Sequence, residues 1–577
     1  MSTTSSSLAT PIPWTSTPAP RLGAHRAHGP TLEAGRVRFD VWAPEVPRVQ
    51  LRLGQATLPL ARAADGWWSA TVAGARPGDR YAFVLPDGRA LPDPGARRLP
   101  DGVHGAAQLW DPSRYGWRHA AVTIPREALV FYELHVGTFT SAGTLDAAAA
   151  RLPDLAALGI TCVELMPLSP VSGARNWGYD GVSLHAVHEA YGGPEALQRF
   201  VDAAHGAGLA VCLDLVLNHL GPEGNYLGAF GPYFTDRHPT PWGPALDLDG
   251  PGAAPVRAYV VQAAAQWVRD FRVDALRIDA AHMFRDQGPR HVVLELAEAA
   301  RAEAQAQGRT VHVIAEAVDA LDRAVVAPPP EGWGCCAMWN DDLHNAAHAL
   351  LTGERYVALG AYGDVAQVAQ ALATGVGVRN CVTAEWGRLR GHGLDRVRPD
   401  QVVTYLQTHD QVGNHPAGAR LAQLLPRAAL PPLAVLLTLG PGLPLLFMGE
   451  EYGEQRPFLY FTSHGDAALA EAVRQGRKAE HQLRSDIPFA DPQDEETFRR
   501  CVLTHRRDGF HGDLWRHHRG LLAVRRRNAR LIGAQWPTVQ VDGLALTLTR
   551  PGLKVAANLG EQPAGGLPGW GWRIEEC

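Results

Sequence analysis

Phe271-Arg-Val-Asp-Ala-Leu-Arg-Ile-Asp-Ala280 is a short apolar alternation that ends in a cation and a carboxylate two residues apart. Phe271, Val273, Ala275 and Leu276 supply the apolar positions, interrupted by Arg272 and Asp274. As a strand it puts Arg277 and Asp279 on one face, because side chains alternate with a period of two. A cation and an acid sharing the inner face at a strand's C-terminal end are expensive in a core. An isolated Arg-x-Asp fits a structural ion pair as well as a working site, so the flanking segments have to decide.

Those segments repeat one pattern. Val130–Val136 is a buried-type strand, followed by a predicted helix over Thr144–Leu158 with Leu145, Ala149, Leu152, Leu155 and Leu158 at helical spacing. Gly159 ends that helix and Ile160–Met166 is the next strand. A helix opened by Pro194 and ended by Gly208 leads into strand Leu209–Val216, and a helix over Arg257–Asp270 leads into the quoted stretch. Further strands are Arg309–Ala315, a weaker one at Cys335–Trp339, Gln401–Leu406 and Leu443–Met448. Strand and helix alternating eight times predict a (β/α)8 TIM barrel with long insertions over residues 114–531.

Appendages are predicted on both sides, making a multidomain α/β protein. Val37–Trp42, Val49–Leu53 and Trp68–Val72 alternate between turn clusters, which predicts an N-terminal β-sandwich over 21–113. Within it, Trp67 and Trp68 fit core packing or an aromatic platform for a sugar, and Leu91–Pro112 reads as an extended connector. Residues 1–20 are Ser/Thr/Pro-rich without a basic start or apolar core, and read as a disordered tail, not a signal peptide. A late helix over Trp515–Leu531 precedes a small C-terminal β domain at 532–577.

Composition excludes several classes. Net charge is -5 with no long basic run, which gives no footprint for nucleic acid. No stretch approaches the roughly 18 apolar residues of a membrane span. Lysine occurs only at Lys478 and Lys554, so the arginine content reflects a compositional bias and an arginine cluster carries little weight. The seven cysteines include no C-x-x-C pair, which predicts a reduced, cytoplasmic chain with no disulfide framework and no metal site.

Each strand runs into polar residues. The second leads to Asn176-Trp-Gly-Tyr-Asp180, the third carries Asp214 and Asn218-His219, and the fourth ends Arg277-Ile-Asp279 with His282 beyond it. The fifth ends in Glu316, the sixth runs into Asn340-Asp-Asp342, and the seventh ends Thr408-His-Asp410. In a barrel these ends share one pocket. Three carboxylates there, Asp279, Glu316 and Asp410, suit glycosidic bond cleavage, which needs one carboxylate at the anomeric centre and an acid on the leaving oxygen. Arg277 is expected to hold Asp279 ionised. The apolar Val313-Ile314-Ala315 run is expected to raise Glu316, as suits a general acid.

Asp214-x-x-x-Asn-His219, Arg277-Ile-Asp279, Glu316 and His409-Asp410 match in order the four signature regions of the α-amylase superfamily of glycoside hydrolases, which this chain resembles throughout its length. The resemblance implies Asp279 as nucleophile, Glu316 as acid/base and Asp410 as transition-state stabiliser, with Tyr179, His219, Arg277 and His409 around the sugar. Longer strings are similar to the maltooligosyltrehalose trehalohydrolase family: Tyr132-Glu-Leu-His-Val-Gly-Thr-Phe139, Asn176-Trp-Gly-Tyr-Asp-Gly-Val182, Asn218-His-Leu-Gly-Pro-Glu-Gly-Asn-Tyr226, Tyr233-Phe-Thr-Asp236 with Thr240-Pro-Trp-Gly243, Trp339-Asn-Asp-Asp342, Gln407-Thr-His-Asp-Gln-Val-Gly-Asn414 and Met448-Gly-Glu-Glu-Tyr-Gly453. This implies hydrolysis of the α-1,4 bond between a terminal trehalose and a maltooligosaccharide, with no cofactor.

Trp177, Asp180, Asp214, His282, Asp341, Asp342 and Gln411 are further expected substrate contacts, and the aromatic residues Trp177, Tyr179, Tyr226, Tyr233, Trp242 and Trp339 fit stacking on glucose rings and packing of the barrel loops equally. Asn218 sits where many amylases place a calcium ligand, but no acidic calcium loop accompanies it. Two places depart from the family: Ala317 and Val318 follow Glu316 where an acid is usual, and His415 follows Asn414 where arginine is usual. A glucan-branching transferase shares the sandwich, barrel and carboxylates, but the strings around Trp177 and Gln407 favour the hydrolase. A non-catalytic glucan binder would need a broken triad, and all three carboxylates are present.

Overall fold

The computed structural model describes residues 26–317, 322–326, 331–355, 357–379, 381–382, 389–390, 394–482 and 487–576; the tail expected at 1–20 and Val318 lie outside them. Among the described residues, eight parallel strands close a barrel: β1 (Phe131–Leu134), β2 (Cys162–Leu165), β3 (Ala210–Leu215), β4 (Ala275–Ile278), β5 (His312–Glu316), β6 (Ala337–Asn340), β7 (Val402–Tyr405) and β8 (Leu443–Phe447). All eight coincide with the expected segments, including the weak one near Cys335. The β1–β8 ladder that closes the ring pairs Phe131 with Leu445. Helices between the strands form the outer layer, among them α1 (Leu152–Leu158), α2 (Gly193–Gly206), α3 (Ala254–Phe271), α4 (Val292–Ala306), α5 (Asp342–Thr352) and α6 (Leu430–Leu439); after β8 come α7 (Ala467–Gln482) and α8 (Gly509–Ala534), the latter packed on α6.

The quoted stretch holds less strand than expected. Phe271 ends α3, where its ring stacks on Trp110 and Trp267. Arg272 then takes a left-handed conformation, φ 54°, that breaks the helix. Asp274 accepts from the Val211 N–H and bonds the buried His205 ring, so the strand proper begins at Ala275 and Asp279 lies just beyond it. The helix expected over Thr144–Leu158 is two: Leu145–Ala149 and α1, whose second residue is Pro153. Proline suits a first helical turn but not a helix interior.

Before the barrel stand two antiparallel sheets, one of four strands and one of five. The expected connector is partly sheet: Ala90–Leu91 and Ala107–Gln108 both pair with Arg80–Val84. Trp67 and Trp68 are both buried, and the Trp68 indole donates to the Ala43 carbonyl, so neither offers a platform. This unit packs on the barrel through aromatic rings, Trp42 against Tyr233 and Phe83 against Phe230. Tyr233, a candidate for stacking on sugar, is fully buried in that seam.

At the other end, Thr538–Asp542, Ala545–Arg550, Leu553–Asn558 and Trp572–Glu576 form an antiparallel sheet. The buried Arg525 of α8 donates to the Thr438 carbonyl near the end of α6. Cys162 and Cys212 are buried, and burial pushes both thiols well up. No described helix is long and apolar enough to cross a membrane.

Candidate active site

Arg277 is the hub. Asp214 and Arg277 are Cα partners in the β3–β4 ladder, which brings their side chains together inside the barrel. Arg277 is only 1% exposed. Its Nη1 donates to Asp214 Oδ2 at 2.6 Å and to Asp279 Oδ1 at 3.0 Å, and its Nη2 lies 2.9 Å from Glu316 Oε2. The Trp339 ring of β6 lies 4.2 Å from its central carbon. A cation this deep is tolerable only with such compensation; removing one partner of a buried pair typically costs about 3–5 kcal/mol.

Asp279 and Glu316 are held from both sides. Asn218 Nδ2 donates to the Asp279 carbonyl at 3.0 Å and to its Oδ2 at 3.1 Å. The nitrogen of the amide considered for a metal thus holds Asp279, and its Oδ1 meets His219 Nδ1. Ala280 is left-handed, φ 40° and ψ 45°. For a residue with a Cβ such a conformation costs about 1–3 kcal/mol and persists only where the surroundings enforce it. Here it turns the Ala280 N–H onto Glu316 Oε2 at 2.7 Å.

The expected protonation is reversed. Burial, then the charge of Glu316, pushes the Asp279 carboxyl up to about 8, against the pull of Arg277. Burial also raises Glu316, but Arg277, His282 and the Ala280 N–H outweigh it and leave that carboxyl below its usual value. The sequence shows Arg277 beside Asp279 alone, whereas in space three carboxylates divide one guanidinium. Asp279 and Glu316 together hold one proton at neutral pH, as closely spaced acids do.

The third acid lies in the turn after β7. Thr408 caps the one-turn helix His409–Gly413 by accepting from the Asp410 N–H. Asp410 is exposed, and its Oδ1 accepts from Asn414 Nδ2 at 2.6 Å. Arg477 of α7 donates to Asn414 Oδ1 at 2.9 Å, and its guanidinium lies 3.9 Å over the Tyr460 ring. His409 is buried against Glu133 of β1, which bonds both its backbone N–H and its Nδ1. Tyr179 stacks on the imidazole, centroids 4.9 Å apart, and its hydroxyl donates to Asp214 Oδ2.

The remaining expected contacts divide. His219 uses both ring nitrogens, on Asn218 Oδ1 and the Tyr179 carbonyl, and burial lowers its pKa; Trp242, 48% exposed, stacks on it. His282 lies 3.5 Å from the Glu316 carbonyl. Asp180 accepts from Asn176 and Tyr460. Asp341 accepts from Tyr405 and from Gln411, joining β6, β7 and the His409 turn.

Two expected contacts face away from the cleft. Asp342 is buried, accepting from the Tyr362 hydroxyl and the Gly377 N–H, and so organises the loop after α5. Trp177 is buried with its indole N–H on the Leu459 carbonyl and its ring stacked on Phe458, so it props Tyr460 and His409 edge-on. His415 is also turned away: its Nε2 meets Glu354, and its Nδ1 accepts from Ala417 and Ala419. It is Arg477, from α7, that reaches the Asn414 side chain instead. Glu133, Asn218, Ala280, Asn414 and Arg477 belong to the site but were not among the expected contacts; Glu133, Asn218 and Asn414 did lie inside the quoted strings, and Ala280 ends the opening stretch.

The family model for the alpha amylase catalytic domain matches residues 112–230 of this barrel. The malto-oligosyltrehalose trehalohydrolase of Rhizobium sp. (strain M-11) is 40% identical over 547 residues, 92% of each chain. That of Saccharolobus solfataricus is 36% identical over 89% of this chain and 91% of its own. A Salmonella typhimurium crystal structure, solved as a candidate alpha amylase, superposes with a TM-score of 0.88 at 35% identity, covering 96% of this chain and 100% of that one. A 1,4-alpha-glucan branching enzyme of Vibrio parahaemolyticus matches over 44% of this chain.

Proposed function

The chain belongs to the malto-oligosyltrehalose trehalohydrolase family within the α-amylase superfamily, and from that membership we propose that it hydrolyses the α-1,4-glucosidic bond next to the terminal trehalose of maltooligosyltrehalose, releasing trehalose and a maltooligosaccharide. The observation that carries the chemistry is the single guanidinium gripping Asp279 on one nitrogen and Glu316 on the other. It keeps the two carboxyls close, in keeping with the roughly 5–5.5 Å of retaining enzymes and against the wider gap that inversion needs.

Glu316 gives its proton to the glycosidic oxygen as Asp279 bonds the anomeric carbon, and trehalose leaves. Glu316 then takes a proton from the water that cleaves the glycosyl ester. The pair's one proton must stand on Glu316 when the bond breaks, and positive charge developing beside Asp279 favours that distribution. Arg277 and Asp214 fix the pair, Asp410 faces the developing charge, and Tyr179, His219, His282 and His409 surround the sugar. Asp180, Asp341 and Gln411 frame the neighbouring subsites. Trp242 offers an open ring for glucose, while Trp177 and Asp342 act by supporting the loops. We take 21–113, 114–531 and 532–577 as the domains of a cytoplasmic enzyme that needs no cofactor.

Incubation with maltopentaosyl-trehalose is expected to yield free trehalose and maltopentaose, read by chromatography. No trehalose, or new α-1,6 branches in amylose, would overturn the assignment in favour of a transferase. The shared proton also sets the pH dependence of kcat/KM. Activity needs one proton on the pair, so it should be lost as pH falls through the depressed Glu316 titration. It should also be lost as pH rises past about 8, where Asp279 gives up its proton. A profile flat to pH 10 would contradict this.

A further inference from the structure

We infer that Glu133 is a positioning residue, the buried anion that holds His409 as a cation with its Nε2 edge turned to the bound sugar. The inference rests on the reading that a sugar occupies the cleft over Asp279, Glu316 and Asp410. Glu133 lies within β1 and is 1% exposed. Its Oε2 accepts the His409 backbone N–H at 2.9 Å, and its Oε1 bonds Nδ1 at 2.5 Å. Tyr179 covers a ring face and Trp177 meets the ring edge-on. With the ring plane and Nδ1 fixed, Nε2 is the nitrogen left to serve a ligand.

The neighbouring strand supports the same division of charge. Glu164 of β2 is the Cα partner of Glu133 in the parallel ladder and is 1% exposed. Neither of its carboxyl oxygens has a hydrogen-bond partner among the described residues. Burial, and then the charge of Glu133, drives its pKa well up, so it stays neutral. Glu133 has the two donors that steady a carboxylate, and Glu164 has none among the described residues.

The groups facing His409 from the packed elements are Glu133 and His135 of the first strand segment, Tyr179, Asp214, Arg277 and Glu316, with Asp410 adjacent. Burial alone lowers the imidazole, but the charge and hydrogen bond of Glu133 outweigh it and leave the pKa raised. A charged imidazole gives a donor about twice as strong as a neutral one. A neutral ring would present a lone pair to the sugar hydroxyl in one of its two tautomers.

The test is Glu133→Gln, assayed on α-maltosyl fluoride, whose cleavage does not depend on trehalose recognition. The variant is expected to lose about 10²–10³-fold in kcat, with a smaller change in KM. Fluoride departs without an acid, so on this substrate the basic pH limb reports His409 and not the Asp279–Glu316 pair; it should move to lower pH, and ¹⁵N NMR should find His409 neutral at pH 7. Glu133→Asp, which keeps the carboxylate, should restore much of the limb. If the Gln variant keeps the wild-type limb and a protonated His409, or if its loss only tracks a lower folded fraction in thermal melts, the inference fails. The two readings fail separately: a wild type that turns over α-maltosyl fluoride but releases no trehalose overturns the proposed substrate, whereas wild-type fluoride turnover in the Gln variant overturns this role for Glu133.

Discussion

Asp279→Asn is expected to lower kcat/KM on maltooligosyltrehalose by at least about four orders of magnitude, while sugar binding survives. The amide is isosteric, so Arg277 Nη1 can still donate to its oxygen and Asn218 keeps its bond to the residue 279 carbonyl. What disappears is the atom that bonds the anomeric carbon. Stability separates this loss from a folding defect. Asp279 is buried with its pKa raised to about 8, so the folded state holds that proton more tightly than the unfolded chain. The resulting stabilisation is complete below the ordinary aspartate value near 4 and drains away as pH rises through about 8. An asparagine has no proton to lose. The variant should therefore melt close to the wild type at pH 5 and gain on it at pH 9. Binding by calorimetry with turnover abolished, and that crossover in melting, are the expected pair of results. Wild-type turnover in the variant would remove Asp279 from the centre of the mechanism.

The barrel was legible because each of its strands is a short apolar run with a polar residue at its end, and that pattern survives any detail of packing. The site was legible to the extent that its members end strands: Asp214, Arg277, Asp279, Glu316 and His409-Asp410 all do. Glu133 stands one residue before the end of β1, as Asp214 does in β3, but a lone acid between Tyr132 and Leu134 looks like an interruption, and only the barrel's closure brings it to His409. Asp341 and Asp342 are neighbours with opposite assignments, because a helix begins between them and turns the second into the protein. The burial of Trp177 was not legible because the ring that covers it, Phe458, is remote in sequence. The protonation of Asp279 and Glu316 was inverted for a related reason. An Arg two residues away is visible along the chain, while the carboxylates from β3 and β5 that compete for it are not.

Glu316→Gln is expected to separate the two halves of the reaction by leaving group. On maltooligosyltrehalose, where the departing sugar oxygen needs a proton, kcat/KM should fall by about 10³–10⁴-fold. On α-maltosyl fluoride, whose fluoride leaves without one, formation of the glycosyl ester should fall by no more than about tenfold. Its hydrolysis then stalls, because the base that draws a proton from water is gone. Added azide, which needs no base, should restore turnover and give the α-configured maltosyl azide; the β product would contradict retention. The same substitution removes the negative charge that, after burial, does most to raise Asp279. Asp279 in the variant should therefore ionise at lower pH, and the basic limb expected near pH 8 on maltooligosyltrehalose should vanish. If that limb persists in Glu316→Gln, the proton it reports belongs to another group, with His409 held by Glu133 the first to examine.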